Sequence, residues 1–98
     1  MISLLAILNE VLNVKMNVIL IEPYVALAKE KIRHFSAYAV EYDFLIEEYA
    51  AGRGLLPPKQ RKSKKVLYVA TIEKGCLLIE SLIDSNRLNE ISLIIIDE

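Results

Sequence analysis

The chain has 98 residues, of which 54% are apolar, and a formal net charge of −1. This length allows one small domain. No apolar run reaches the roughly 18 residues that a transmembrane helix needs, so we expect no membrane association. Cys76 is the only cysteine, which excludes a disulfide framework and a cysteine metal cluster and predicts a small buried apolar side chain.

The first half of the chain alternates helical and strand-like patterns. Apolar residues recur at helical spacing over residues 3–14, which predicts a first helix. Residues 17–22 predict a strand, and Pro23 ends it because proline cannot donate to a sheet ladder. A second helix follows, and its spacing predicts a buried face formed by Ala28, Ile32 and Phe35.

The second half repeats the alternation around one long loop. Residues 44–49 and 66–70 predict two strands, and the glycines, prolines and basic run of residues 52–65 predict a loop between them. Residues 72–85 predict a third helix. Its buried side chains would be Leu78, Ile79, Leu82 and Ile83. The apolar residues 93–96 predict a final, buried parallel strand.

The order α-β-α-β-β-α-β predicts one α/β domain over residues 1–98, with a mainly parallel sheet between two layers of helices. Such sheets bind ligands outside the carboxyl ends of their strands. The segments that follow the four strands should therefore share one rim, and these are residues 22–24, 50–52, 71–74 and 97–98.

The rim segments hold the candidate site residues. A carboxylate that follows a buried strand, as Asp97 does, can ligate Mg²⁺, and an ordinary pair of surface acids is the alternative for Asp97 and Glu98. Thr71 is placed to cap the third helix, and the free amides of a helix start attract phosphate. A plain helix start is the alternative here and after Pro23.

A block of six cations without an acid lies between residues 53 and 65, and it consists of Arg53, Lys59, Arg61, Lys62, Lys64 and Lys65. Such a block indicates an anionic partner, and a solvated loop is the alternative. The chain has no Gly-x-x-x-x-Gly-Lys-Ser/Thr phosphate loop. His34 has no second metal ligand near it and is expected at the surface.

Together these segments resemble motifs of the Ski2-like superfamily 2 DNA helicases, and the resemblance covers essentially the whole chain. PYVALAKEK (23–31) resembles motif Ia and EYAAG (48–52) the motif Ib region. ATIEKG (70–75) resembles the following DNA-contacting motif, and IIIDE (94–98) the first half of the DExH box. The Pro-Pro and basic loop is similar to that of the subgroup related to the helicase part of DNA polymerase theta. The resemblance implies a partial RecA-like domain.

The resemblance further implies an ATP-driven 3′-to-5′ DNA-unwinding enzyme of the nucleus that acts in DNA repair. Asp97 would bind the Mg²⁺ of the nucleotide, and Glu98 would act on the hydrolytic water. Single-stranded DNA would contact the residues of the first three motifs, which are Pro23, Tyr24, Lys29, Gly52, Thr71, Glu73 and Lys74.

Parts of the family pattern are missing from these 98 residues. They include neither the P-loop, nor the histidine of the DExH box, nor a second motor domain. We therefore interpret the chain as an inner piece of a helicase, completed by the rest of the helicase chain, and expect no tight binding of ATP or Mg²⁺. Without the P-loop strand, the last strand should present an unpaired apolar edge, and the isolated chain should be poorly soluble.

Two other interpretations stay open. The first is a small non-catalytic α/β module that binds nucleic acid with residues 53–65. A receiver-like or flavodoxin-like domain is a further alternative, but Asp97 is the only strand-end aspartate and no glycine-rich flavin loop is present.

Overall fold

A computed structural model describes residues 2–61 and 64–97 and contains a four-stranded sheet in these ranges. The strands are β1 (Asn17–Glu22), β2 (Leu45–Tyr49), β3 (Val66–Thr71) and β4 (Ile91–Ile96). They lie in the order β2-β3-β1-β4, and all three pairings are parallel. The predicted α/β class and parallel sheet are confirmed, and the arrangement is compatible with part of a RecA-like domain.

Helices cover both faces of the sheet. α1 (Ile2–Asn9) continues as a π-helical segment over Glu10–Val14 and ends where Lys15 adopts a left-handed conformation with φ 63°. α2 (Val25–Tyr42) and α3 (Ile72–Asp84) follow β1 and β3. None of the helices in the described ranges is long and apolar enough to cross a membrane.

Two apolar cores separate the three layers. One core joins α1 and α2 to alternate residues of the central strands, including Val18 and Leu20 of β1. The other joins α3 to the residues between them, including Ile19 and Ile21. Strands that are covered on both faces are apolar throughout, and this is why residues 66–70 of β3 are all buried.

The outer strand β4 departs from the prediction of a buried strand. Ile94 and Ile96 are 41% and 64% exposed. These two side chains are exposed because β4 is the outermost strand: it pairs only with β1 in the described sheet, and α3 packs over β1, β2 and β3 instead. Leu93 and Ile95 point to the opposite face and are half-buried against the α1–α2 core. The prediction of an unpaired apolar edge at this strand is thus confirmed.

Helix α3 buries a narrower stripe than its sequence predicts. Leu78 and Leu82 are fully buried, but Ile83 is 55% exposed, so its predicted burial is wrong. Cys76 is also exposed, against expectation. The reason is Gly75, whose backbone lies so close to β1 that an added Cβ would stand 2.9 Å from Cδ1 of Ile21. With Gly75 facing the sheet, Cys76 turns about 100° away from it.

The loop predicted over residues 52–65 is the crossover between the parallel neighbours β2 and β3. It lies on the same face of the sheet as α3, where the Tyr49 hydroxyl donates to the carbonyl of Leu55 at 2.6 Å. Pro58 is buried, and its carbonyl accepts a hydrogen bond from Arg87. Parallel neighbours need such a crossover, which is usually a helix. The basic loop is thus an integral part of the fold.

Candidate nucleic-acid interface at the strand-end rim

The carboxyl ends of the four parallel strands meet at one rim, as the sequence predicts. In register, Glu22 at the end of β1 lies beside Thr71 at the end of β3. On the other side of β1, Ile21 pairs with Ile96, the residue before Asp97. The rim therefore gathers the segments that carry the proposed motifs.

A cleft of ≈ 510 Å³ opens between the ends of β1 and β3. It is lined by Pro23, Tyr24, Val25, Thr71, Ile72 and Glu73. Four of these are predicted nucleic-acid contacts, and the fold brings them together. Tyr24 is 67% exposed, and Val25 and Ile72, which also line the cleft, are 37% and 52% exposed, so the cleft carries a cluster of exposed apolar side chains.

Helices α2 and α3 both begin at this cleft, and neither has a side-chain cap. Thr71 occupies the N-cap position of α3 with extended backbone (φ −79°, ψ 167°), as predicted, but its hydroxyl makes no capping hydrogen bond. Tyr24 holds the same position in α2 (φ −135°, ψ 151°). The first-turn amides of both helices are therefore left for water or a bound group.

Lys29, a predicted nucleic-acid contact, and Arg53, the first cation of the basic loop, share one carboxylate. Lys29 Nζ lies 3.0 Å from Oε2 of Glu48, and Arg53 Nε lies 3.6 Å from Oε1 of the same residue. Gly52, also a predicted contact, sits beside them in a turn with φ +79°. Lys29 is therefore less free to meet a phosphate than its sequence position indicates, because Glu48 competes for it.

Arg61, Lys64 and Lys65 do not join this rim. Arg61 lies 3.0 Å from Oε2 of Glu47, and Lys64 lies 2.9 Å from Oδ1 of Asp43. Arg61 and Lys65 line a separate cleft of ≈ 390 Å³ with Asn17, where the strands begin. The loop thus connects the carboxyl end of β2 to the amino end of β3, and the cations in its described part form no single patch.

Four further predicted site residues are Lys74, Lys59, Lys62 and Glu98. Lys74 follows Glu73 in the first turn of α3 and is half-buried. Lys59 is exposed and forms no ion pair with the described residues. Lys62 and Glu98 lie outside the described residues, so their roles stay predictions.

The position and exposure of Asp97 are compatible with those of a single protein ligand for Mg²⁺. Its backbone N–H donates to the carbonyl of Ile21 at 2.9 Å, which fixes the residue as a continuation of β4. Its side chain is 46% exposed, and Lys31 Nζ is 3.9 Å away. Mg²⁺ takes one or two protein carboxylates and completes its shell with water and phosphate. The described residues contain no group of three metal-ligating side chains, so Asp97 would need the phosphates of a nucleotide.

Glu22 is a residue of the rim that sequence reasoning missed as a site residue. It is only 1% exposed, and its Oε2 has no hydrogen-bond partner among the described residues. Burial raises the pKa of Glu22 to about 7, with smaller upward effects from the side-chain hydrogen bond and the charge of Asp97. The sequence contains a signal for this site: Glu22 is an acid at the end of an apolar run, directly before Pro23, and Asp97 is a second acid at a strand end.

The chain is similar to proteins named Helicase POLQ-like from Drosophila melanogaster and Homo sapiens. It is 45% identical to each over 91 residues, which is 93% of this chain but 9% and 8% of those proteins. It is 29% identical over 94 residues to a protein named DNA polymerase theta from Mus musculus, which is 96% of this chain and 4% of that protein. No family model matches the chain, and no solved structure gives a significant match. The chain therefore spans under a tenth of the length of these relatives.

Proposed function

We propose that this chain, which is homologous to a segment of the Helicase POLQ-like proteins, forms part of an ATP-dependent 3′-to-5′ DNA helicase. The observation that carries the proposal is that the parallel strands bring all four motif-like segments to a single rim. The rest of the helicase chain would complete the motor. A nuclear location and a role in DNA repair belong to the same proposal.

The rim would form part of the track for single-stranded DNA. The cleft between β1 and β3 and the uncapped starts of α2 and α3 lie side by side there. Backbone amides at helix starts and nearby lysines hold phosphates without reading sequence. Such contacts suit an enzyme that moves along DNA of any sequence.

Asp97 would hold the Mg²⁺ that accompanies a nucleotide, since its half-exposed carboxylate stands at the end of β4. Magnesium-bound ATP, when present in the complete motor, supplies the free energy for movement. Glu98 would orient the water that attacks the nucleotide. Lys31, on α2, would balance part of the negative charge of Asp97.

The DNA-binding part can be tested with three matched variants and a fluorescent 12-mer of single-stranded DNA. Lys29→Gln should weaken binding about three- to tenfold, because a phosphate contact is lost. Glu48→Gln should strengthen binding, because it frees Lys29 and Arg53 from their shared carboxylate. Lys15→Gln, at the opposite end of the strands, should have no effect. Fluorescence anisotropy between about 50 and 200 mM NaCl measures all three.

A salt-insensitive wild type, or equal affinities for all three variants, would show that the rim does not bind DNA. The alternative function, a binding module that uses residues 53–65, makes a different prediction. It requires Arg61→Gln to weaken binding more than Lys29→Gln does. Arg61 lines the cleft where the strands begin, so this alternative places the nucleic acid at the opposite end of the sheet from the rim.

We predict that the purified chain hydrolyses no ATP by itself. The reason is the missing phosphate loop, without which Asp97 has no nucleotide phosphate to share its metal with. Phosphate release should be equal for the wild type and for Asp97→Asn, which removes the proposed ligand charge. Turnover that is present in the wild type and lost in Asp97→Asn would disprove the prediction, whereas turnover common to both marks a contaminant.

A further inference from the structure

The side chains that line the cleft between β1 and β3 do not suit a phosphate. None of its six lining residues is basic, and Glu73 would repel an anion. Three of its lining side chains, Tyr24, Val25 and Ile72, are large, apolar and exposed. A flat apolar group that can also donate hydrogen bonds would match both side-chain features, and the phosphates of the same strand would be left to the helix-start amides beside the cleft.

We propose that this cleft receives one unpaired base of a single-stranded nucleic acid, which stacks on the ring of Tyr24. The inference rests on the DNA-binding function proposed above and adds the chemical identity of the group in the cleft. Aromatic side chains stack on bases of any sequence because every base presents a π face. The cleft volume of ≈ 510 Å³ leaves room for a base together with part of its sugar.

Tyr24 is held where a stacking platform must be rigid. Pro23 precedes Tyr24 in the chain. The carbonyl of Tyr24 accepts a hydrogen bond from Ala28 N–H at 3.0 Å, and this bond closes the first turn of α2. Ala28 is itself fully buried in the core. The backbone of Tyr24 is thus fixed while its ring stays in solvent, so a bound base needs to order only the side chain.

Glu73 gives the cleft a preference among bases. A carboxylate only accepts hydrogen bonds, and the exocyclic amine of cytosine is the donor that Glu pairs with in nucleic-acid complexes. Thymine presents a carbonyl oxygen at the same position. We therefore expect the cleft to bind cytosine more tightly than thymine, and the preference to depend on Glu73.

The test compares a fluorescent 12-mer of dC with an abasic 12-mer that has the same phosphates. Tyr24→Ala should weaken binding of the dC oligomer roughly 5- to 100-fold, the range expected for one lost stack, and leave the abasic oligomer unchanged. Tyr24→Phe should bind like the wild type. Tyr42→Ala is the matched control, because Tyr42 is an exposed tyrosine at the other end of α2. Circular dichroism checks that each variant is folded.

Specificity is measured with the same assay on a 12-mer of dT. The wild type should prefer dC, and Glu73→Ala should bind dC and dT equally. A wild type that binds both the dC and the abasic oligomer, with Tyr24→Ala weakening both equally or neither, overturns the base site and leaves the DNA-binding function standing. A wild type that binds no oligomer overturns both proposals.

Discussion

Glu22 is the only buried polar or charged residue among the described residues, and one of its carboxyl oxygens has no hydrogen-bond partner there. Removing a carboxylate from water without a partner disfavours the charged form, and this is why the pKa of Glu22 rises from 4.5 to about 7. Asp97 reinforces the shift through a side-chain hydrogen bond and its own charge, and Lys31 opposes it. Above pH 7 the folded chain must therefore hold a buried negative charge beside a second acid.

This arrangement predicts that the chain becomes less stable as pH rises. Between pH 4.5 and about 7 the folded state keeps a proton on Glu22 that the unfolded state releases. The stabilising effect is complete below pH 4.5 and is lost by about pH 7, with a total of about 3 kcal/mol. Urea unfolding in EDTA at several pH values measures it.

Glu22→Gln, which imitates the protonated form, should remove this contribution, so the wild-type and variant curves should diverge as pH rises through the same window. Glu80→Gln, on exposed α3 surface, is the control and should follow the wild type. Parallel curves for Glu22→Gln and the wild type would show that Glu22 titrates normally.

Gly54 shows how one residue fixes the start of the crossover loop. It has φ +114°, and an added Cβ would lie 2.8 Å from Cε2 of Tyr49. The Tyr49 ring cannot yield, because it is buried edge-to-face against Tyr68 with ring centroids 5.6 Å apart. Close approach to the ring, as well as backbone freedom, thus requires glycine here.

We predict that Gly54→Ala destabilises the chain by about 2–4 kcal/mol, through left-handed strain and overpacking together. Gly52→Ala is a matched control, because Gly52 also has positive φ (+79°) but nothing lies within 4 Å of the added Cβ. It should cost only about 1–2 kcal/mol of strain. Equal losses of unfolding free energy in the two variants would show that contact with Tyr49 contributes nothing.

At the scale of elements, one arginine, Arg87, links the crossover loop to the turn after α3. Arg87 Nε donates to Oε2 of Glu90 at 2.8 Å, and its guanidinium also donates to the carbonyl of Pro58. The residue therefore ties the loop to the turn after α3. Both carboxylate and carbonyl would lose a charged donor if Arg87 were removed.

Arg87→Ala should lower the free energy of unfolding by about 1.5–3 kcal/mol, the usual value of hydrogen bonds to a charged group. It should also speed tryptic cleavage after Lys59, which lies next to the released Pro58. Arg33→Ala, on the exposed side of α2, should change stability by less than about 0.5 kcal/mol. Unchanged cleavage in Arg87→Ala would mean that the loop is held by other contacts.

Local pattern predicts where elements lie, but not what they lie against. β1 begins and ends where its apolar run and Pro23 indicate, because neighbouring residues in the sequence determine where a strand starts and stops. The exposure of Ile94 depends instead on the strand order β2-β3-β1-β4, which is non-local.

The candidate site shows the same division between local and non-local information. The rim follows from parallel strands, whereas the ion pairs of Glu48 with Lys29 and Arg53 require knowing which helix and loop lie over β2.

At the scale of the whole molecule, a compact body has an apolar strand edge at β4. The radius of gyration of the Cα atoms of the described residues is 12.2 Å, close to the roughly 13 Å of a 100-residue domain. Yet β4 leaves an outer backbone edge without a strand partner in the described sheet, flanked by exposed isoleucines. Edges of this kind pair with other chains.

We therefore predict that the isolated chain self-associates through β4 and that Ile96→Lys reduces this association, because a lysine at a strand edge disfavours pairing. Sedimentation velocity at rising concentration measures the monomer fraction. Val40→Lys is the matched control, since Val40 is an 86% exposed apolar residue on α2 and its replacement leaves β4 intact. Ile95→Lys should instead unfold the chain, because Ile95 packs against the α1–α2 core. A wild type that stays monomeric at high concentration, or an equal gain from Val40→Lys, would show that the β4 edge does not drive association.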